Sequence, residues 1–136
     1  MLECLMRPRP ETKAELPERG SVLSAVARVA AESPALEARV FGSWARGTQS
    51  RRSDLDVLIV EETQEPFMRR MDRYLLPLYR AAGGPPIEVL VYDPSELAAM
   101  SDRPFMRRIL AESVVVYRRQ ASGASPGVGV VGGIAE

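Results

Sequence analysis

Hydrophobic residues recur along the chain at alternating periods, and these periods predict where helices and strands lie. Four apolar residues between positions 22 and 30 recur at helical spacing after Ser21, which can cap a helix, and Pro34 ends that segment. Ala38–Phe41 is a short apolar strand that Gly42 closes. The pattern therefore predicts that the folded part begins with a helix followed by a strand.

Strand and helix signals continue to alternate towards the C-terminus. The remaining predicted elements are a buried strand at Asp54–Val60, a helix at Pro66–Ala82, a strand at Ile87–Tyr92, a helix that Ser101 or Asp102 caps, and a strand at Val114–Tyr117. Pro77 should kink or split the middle helix. Phe105, Ile109 and Leu110 should face the core from the last helix. This order predicts an α/β (α+β) fold in which helices pack on one sheet.

The length and charge of the chain bound its class. Its 136 residues allow one domain, expected at 18–119, between flexible tails at 1–17 and 120–136. No segment resembles a signal peptide or reaches the roughly 20 apolar residues of a membrane span, so we expect a soluble, cytoplasmic protein without a membrane partner. Because the formal net charge is zero, direct binding of nucleic acid is not expected.

The absence of histidine limits the chemistry that the chain can perform. Without histidine there is no Ser-His-Asp triad, no histidine general base and no histidine-containing zinc site. The single cysteine, Cys4, excludes an intrachain disulfide. Any catalysis must therefore depend on carboxylates, hydroxyls, arginines and a hard metal ion.

Three carboxylates stand at positions where a sheet could bring them together. Asp54 and Asp56 are two residues apart in a predicted strand, so both point to one face, with Cα atoms about 6.6 Å apart. Glu88 interrupts an otherwise apolar strand, where a carboxylate is costly unless it is paired or bound to a metal. Hard cations such as Mg²⁺ prefer oxygen ligands of this kind. The alternatives are solvated acids at a strand end and a glutamate that faces water from an edge strand.

A glycine–serine pair directly follows the first predicted strand. Gly42 lets the backbone approach a ligand closely, and Ser43 could open a short helix whose amides and hydroxyl face a phosphate. Arg46 lies one helical turn further on and could reach the same phosphates, before Gly47 ends the turn. Taken singly, the glycines could be ordinary turn residues and Arg46 a solvated arginine.

In this order, the motifs closely resemble the signature of the nucleotidyltransferase superfamily related to DNA polymerase β. They are Gly42-Ser43 after a strand, Arg46-Gly47 next, and Ser53-Asp54-Leu55-Asp56 opening the following strand. The resemblance covers about residues 20–118, and the small size resembles the minimal nucleotidyltransferases of bacteria and archaea. It implies a single mixed sheet. It also implies that two Mg²⁺ ions bind to Asp54 and Asp56, and that a nucleoside triphosphate is held by Gly42 and Ser43, with Arg46 and Ser53 beside them.

Glu88 is a departure from the family pattern. The family usually has a third aspartate on a later strand, and Glu88 falls at the matching position. On this resemblance Glu88 is expected to be the third metal ligand and catalytic carboxylate, but its longer side chain places the carboxylate further out.

The function implied by the resemblance is Mg²⁺-dependent transfer of a nucleoside monophosphate, AMP from ATP, to a hydroxyl of a partner macromolecule. Larger relatives bind the acceptor with a second domain, for which this chain has no room. Minimal nucleotidyltransferases are often paired with small helical HEPN proteins as antitoxin and toxin, so the leading hypothesis is an antitoxin that adenylylates such a partner. The alternatives are a catalytically idle module that neutralises the partner by binding, and a plain α/β domain whose motif is coincidental.

Overall fold

A computed structural model describes residues 17–120 of the chain. The helices are α1 (Arg19–Ala31), α2 (Ser43–Arg46), α3 (Phe67–Arg70), α4 (Asp72–Ala82), α5 (Pro94–Met100) and α6 (Pro104–Glu112), and the strands are β1 (Glu37–Phe41), β2 (Leu55–Val60), β3 (Ile87–Tyr92) and β4 (Val114–Arg118). The predicted tails at 1–17 and 120–136 lie outside the described residues, except for residues 17 and 120 themselves.

The four strands form one mixed sheet in the order β3-β2-β1-β4. β1 is antiparallel to both β2 and β4, whereas β2 and β3 run parallel. The crossover from β2 to β3 contains α3 and α4, as a parallel connection requires. The expected fold class is therefore confirmed, and each predicted strand is present with bounds within one residue of those expected.

The sheet is covered on both faces, but unequally. The larger core lies where α1 and α4 pack together against one face, and the side chains of Leu55, Val57 and Ile59 on β2 point into it. The smaller core lies on the opposite face, where Leu58 meets Met106 and Ile109 of α6. Because side chains alternate along a strand, Asp56 lies on the same face as Leu58. The less covered face of the sheet therefore carries the predicted site.

Both predicted helix caps are wrong. α1 begins at Arg19, with Glu18 at the capping position, so Ser21 lies inside the helix. α6 begins at Pro104 with Arg103 at the capping position, and neither Ser101 nor Asp102 caps it. Ser101 does not cap α6 because it directly follows α5, and its hydroxyl donates back to the carbonyl of Ala98 (3.0 Å).

The predicted helix at Pro66–Ala82 is split, but not at Pro77. The break falls at Met71, and Pro77 lies inside α4. The break directly follows Arg70, a buried arginine whose guanidinium donates to the carbonyl oxygens of Glu65 (2.8 Å) and Val91 (3.2 Å). These contacts fix the end of α3 against β3, and α4 begins at Asp72.

Helix α5 was not expected from the hydrophobic pattern. No residue of α5 is fully buried, and its apolar face consists of Leu97 and Met100, which pack against the smaller core, so the hydrophobic signal of this seven-residue helix is short. Its start is nevertheless written in the sequence, because the Asp93 side chain accepts from the amide of Glu96 (2.8 Å) and Glu96 accepts from the amide of Asp93 (2.9 Å). This reciprocal capping box, with Pro94 between them, is the signal that could have predicted the helix.

Two ionic clusters lie beyond the C-terminal ends of β2 and β3. Glu61, only 3% exposed, accepts a hydrogen bond from the hydroxyl of Tyr74 (2.5 Å) and forms an ion pair with Arg73. Arg70 forms a two-pronged pair with Glu96, at 2.6 and 3.0 Å. Burial, and then the hydrogen bond to Glu61, raises the pKa of Tyr74. Each buried charge at this end of the sheet therefore has a partner within the chain.

No helix within residues 17–120 combines the length and the apolar character needed to cross a membrane.

Candidate active site

Asp54 and Asp56 lie at the N-terminal end of β2, on the face opposite the larger core. Asp54 directly precedes the strand, and the buried Leu55 between the two aspartates anchors the backbone. The amide of Leu55 donates to the carbonyl of Pro86 (2.7 Å), which ties the start of β2 to the start of β3. The local sequence thus aims both carboxylates away from the core at a fixed point of the sheet.

Glu88 joins the aspartates because β2 and β3 run parallel and in register. Asp56 pairs with Glu88 across the two strands, so their side chains lie side by side on one face. Asp54, Asp56 and Glu88 each offer a carboxylate oxygen, and these oxygens lie within 4.8 Å of one another. β3 is an edge strand and Glu88 is exposed, as the alternative interpretation expected, yet the side chain still reaches the aspartates.

Gly42 approaches Asp56 so closely that no other residue fits there. Its backbone has φ of +75° and ψ of −153°, a conformation that is essentially restricted to glycine. A Cβ atom built on Gly42 would overlap Oδ2 of Asp56. The glycine therefore brings bare backbone against the carboxylate cluster.

The carboxylates of the cluster disturb one another. Burial of the half-exposed side chain raises the pKa of Asp56 to about 6; the negative charge of Glu88, a hydrogen bond to Glu88 and the charge of Asp54 add to the rise, and the charge of Arg46 opposes it. Within the described residues none of the three carboxylates forms an ion pair. The cluster therefore concentrates negative charge that no ion pair within residues 17–120 neutralises.

The donor set fits a magnesium ion. Three carboxylates within reach of one another supply only oxygen ligands, which Mg²⁺ prefers and commonly shares with substrate phosphates. Because zinc sites generally use cysteine or histidine, this cluster favours a hard cation.

Comparison with known proteins assigns the chain to one family. Residues 24–117 match the family described as nucleotidyltransferase domain. The chain belongs to the nucleotidyltransferase domain family. The match contains all seven residues expected at the site, listed as Gly42, Ser43, Arg46, Ser53, Asp54, Asp56 and Glu88.

Two solved structures are similar to this nucleotidyltransferase domain. One, described as a toxin–antitoxin with AMP-PNP, is 14% identical, covers 72% of this chain and 74% of its own chain, and has a TM-score of 0.55. The other, from Sulfolobus solfataricus and provisionally described as a nucleotidyltransferase, is 25% identical, covers 81% of this chain and 86% of its own, and has a TM-score of 0.47. The first shares the fold. No curated protein matches the sequence.

In this nucleotidyltransferase domain Ser43 begins α2, a single turn held by its own backbone and by α1. The amides of Gly47 and Thr48 both donate to the carbonyl of Ser43, at 2.9 and 3.0 Å. Arg19 of α1 donates to the carbonyls of Trp44 (2.7 Å) and the next residue (2.9 Å), while the Trp44 side chain is completely buried. Arg19 thus positions the glycine–serine turn, and no motif in the sequence marked this residue.

Arg46 and Ser53, both expected near the nucleotide, have partners within the chain. Nη1 of Arg46 lies 2.7 Å from Oε1 of Glu112 at the end of α6. The hydroxyl of Ser53 accepts from the amide of Ser50 (2.8 Å), which fixes the loop that leads into β2. Arg46 therefore stands at the edge of the cleft, and Ser53 shapes the approach to Asp54.

Helix α6 forms a wall of the cleft that the sequence did not predict. A cavity of about 200 Å³ is lined by Phe41, Gly42, Arg46, Asp56, Phe105, Arg108, Ile109 and Glu112. Phe105 was expected in the core, but its side chain is 58% exposed. Met106 takes the core position because the buried face of α6 follows Met106 and Ile109. Ile109 and Leu110 pack towards the smaller core as predicted, so Phe105 is the one residue of the three that was assigned to the wrong side of the helix.

Proposed function

We propose that this chain is an Mg²⁺-dependent enzyme that transfers AMP from ATP to a hydroxyl of a partner protein. The observation that carries the proposal is the convergence of Asp54, Asp56 and Glu88 within 4.8 Å beside the bare backbone of Gly42. Membership of the nucleotidyltransferase family supports the reaction class. The proposal goes beyond the reaction class in three respects: the nucleotide is ATP, the metal is magnesium and the acceptor is a protein.

The proposed reaction forms one bond and breaks one. The acceptor oxygen bonds to the α-phosphorus of ATP, the bond from that phosphorus to the bridging oxygen of the β-phosphate breaks, and pyrophosphate leaves. Glu88 is an exposed carboxylate on the edge strand β3, where it could take the hydroxyl proton. No histidine is needed for this chemistry, which agrees with the composition of the chain.

Each side chain of the cleft has a proposed part in binding and orientation. Asp54, Asp56 and Glu88 hold magnesium, and Gly42 and Ser43 offer backbone and hydroxyl to the phosphates. Bound Mg²⁺ would supply charge neutralisation at the phosphate oxygens and lower the pKa of the acceptor hydroxyl. Arg46 lies close enough to affect the pKa of Asp56. Once released from Glu112, it would add positive charge beside the leaving group.

We further propose that the acceptor is a small helical toxin of the HEPN type and that this chain is its antitoxin. One solved structure with the same fold is a toxin–antitoxin with AMP-PNP, an analogue of ATP. The described domain contains a single sheet with its helices and no separate unit for binding an acceptor within residues 17–120. A partner that brings its own docking surface would meet this need.

Label transfer tests the proposed activity. The wild type and Asp56→Asn are incubated with Mg²⁺ and ATP labelled at the α-phosphate in a lysate of the source organism. We expect a labelled protein only with the wild type, and no label when ATP carries it at the γ-phosphate. Equal labelling by both proteins would refute the assignment of the site. Glu62→Gln, which removes a charge at the other end of β2, is the matched control and should transfer label normally.

A catalytically idle module that neutralises its partner by binding is a second candidate. The glutamate at position 88 favours it, since the family usually has an aspartate there. The double variant Asp54→Asn with Asp56→Asn separates the two. If it still neutralises the co-expressed partner, binding alone is sufficient; if it binds the partner without neutralising it, chemical modification is required.

A further inference from the structure

Helix α6 presents one continuous face to the cleft. Phe105, Arg108, Ile109 and Glu112 follow each other at intervals of three, one and three residues, the spacing that places side chains on one side of a helix. All four line the same cavity as Gly42 and Asp56. Ile109 is buried against the sheet and Glu112 is paired with Arg46. Phe105 and Arg108 are therefore the two members of this face that remain available to a ligand.

Phe105 is an aromatic ring that the core does not use. It is 58% exposed, whereas the neighbouring Met106 is fully buried and packs α6 onto the sheet. An exposed phenyl ring forgoes the stabilisation that burial would give. Phe105 lies on the wall of a 200 Å³ cavity that also contains Asp56 of the carboxylate cluster. A flat apolar group of a ligand in this cavity could pack against the ring.

Arg108 supplies positive charge to the same wall. It is exposed and lines the cavity, and it makes no ion pair with any residue in 17–120. Arg46, the other arginine of the cavity, is engaged by Glu112. The cleft therefore combines a free aromatic face, an uncommitted guanidinium and a cluster of carboxylates, a combination that matches a base, phosphates and their magnesium.

We propose that Phe105 and Arg108 form the nucleotide-recognition wall of this domain, with Phe105 stacking on the nucleobase and Arg108 contacting the triphosphate. This inference rests on the proposed function. A phenyl face offers no hydrogen bonds to base edges, so it accepts every base and favours those with the larger stacking area. We therefore expect ATP and GTP to bind about equally, and both to bind more tightly than CTP and UTP.

Calorimetric titration with two ligands separates the parts of the wall. The first is α,β-methylene ATP, which cannot transfer its nucleotidyl group, and the second is inorganic tripolyphosphate, which lacks the base; both are used with Mg²⁺. For Phe105→Ala we expect the dissociation constant of the ATP analogue to rise about tenfold while that of tripolyphosphate stays unchanged. Phe105→Trp keeps an aromatic ring at this position and should bind the ATP analogue about as tightly as the wild type. Arg108→Gln should weaken both ligands.

The neighbouring Arg107→Gln is the matched control for Arg108→Gln, since Arg107 is exposed on the same helix but does not line the cavity. The inference is overturned if Phe105→Ala binds the ATP analogue as the wild type does, if it weakens both ligands equally, or if Arg108→Gln behaves like Arg107→Gln. If label transfer succeeds while Phe105→Ala binds normally, only this inference fails. If the wild type binds neither ligand, the proposed function fails with it.

Discussion

The two ends of β2 carry carboxylates in opposite circumstances. At the C-terminal end, Glu61 is almost fully buried, and the hydroxyl of Tyr74 and the guanidinium of Arg73 satisfy it. At the N-terminal end, Asp56 is half-buried beside two further carboxylates, and the pKa of Asp56 is raised to about 6, chiefly by burial and by the charge of Glu88. Glu61, directly after the strand, is therefore compensated by Tyr74 and Arg73. Asp56, near the start of the strand, is instead repelled by the charges of Glu88 and Asp54.

The contrast separates a structural charge from a functional one. A buried charge stabilises a fold only when partners compensate its lost hydration, and Glu61 has them. The cluster at Asp56 lacks such partners among the described residues, so it lowers the stability of the metal-free protein. Such an arrangement is typical of a functional site, where a ligand supplies the missing positive charge, and the ligand proposed here is magnesium with a nucleotide.

The largest expected effect comes from adding a side chain at Gly42, directly beside Asp56. Gly42→Ala should lower the rate of label transfer by more than about 100-fold, because a Cβ atom there overlaps Oδ2 of Asp56. Substitution of a residue that only supports a metal ligand already lowers metal affinity or activity by about 10–100-fold, and this change displaces a proposed ligand itself. Backbone strain should also lower the free energy of unfolding by roughly 1–3 kcal/mol. Chemical denaturation and label transfer measure the two effects separately.

Gly47→Ala is the control for this strain. Gly47 also has a positive φ, of +82°, but a Cβ atom there would meet no atom within 4 Å. The control should lose about 1–2 kcal/mol of stability and keep its transfer activity. Equal loss of activity in both variants would show that strain, and not the approach to Asp56, explains the effect of Gly42.

At the opposite end of β2, loss of a partner should affect stability alone. Tyr74→Phe removes the hydroxyl that donates to Glu61, and a hydrogen bond to a buried charge contributes about 1.5–3 kcal/mol. We expect a loss of about 2 kcal/mol in the free energy of unfolding, with an unchanged rate of label transfer. A large loss of activity in the folded variant would contradict the division between the two ends.

The smallest expected effect is a pH dependence of the metal-free protein. Because folding raises the pKa of Asp56 from 3.8 to about 6, the folded state holds this proton more tightly, and the associated stability is lost as pH rises from about 4 to about 6. Asp56→Asn should therefore be more stable than the wild type at pH 7.5, by about 1 kcal/mol after solvent screening is allowed for. Below pH 4 this advantage should disappear.

Thermal unfolding of both proteins with EDTA across this pH range measures the difference. Carboxylates outside the cluster contribute equally to the two curves, so the separation of the curves reports on Asp56 together with its coupling to Glu88 and Asp54. An advantage of Asp56→Asn that is independent of pH would contradict the electrostatic cause. Added Mg²⁺ should stabilise the wild type and leave the variant unchanged, since only the protein that binds the ion gains stability from it.

Local patterns were sufficient to predict most of the fold. The four strands are short apolar runs, and the sheet with helices follows from their alternation with helical segments. Helix ends were less predictable, since neither α1 nor α6 has a side-chain cap and the break at Met71 follows the tertiary contacts of the buried Arg70. Helix α5 was missed because Leu97 and Met100 are its only residues that pack on the core, although its capping box is local.

The carboxylates could be identified from the sequence because their spacing is regular within strands. Asp54 and Asp56 share a face by alternation, but the reach of Glu88 depends on the parallel register of β2 and β3, which no local pattern contains. The α6 wall was missed for a related reason. Ile109 and Leu110 face the smaller core as predicted, but the packing of α6 on Leu58 buries Met106 and leaves Phe105 on the cleft side.

The most direct test of the account is whether the N-terminal end of β2 binds magnesium nucleotide. Calorimetric titration with the Mg²⁺ complex of α,β-methylene ATP is performed on the wild type, on the double variant Asp54→Asn with Asp56→Asn, and on Glu62→Gln, which removes an exposed charge at the other end. We predict Mg²⁺-dependent binding by the wild type and Glu62→Gln, and none by the double variant. Undiminished binding by the double variant, or no binding by the wild type, would contradict the account.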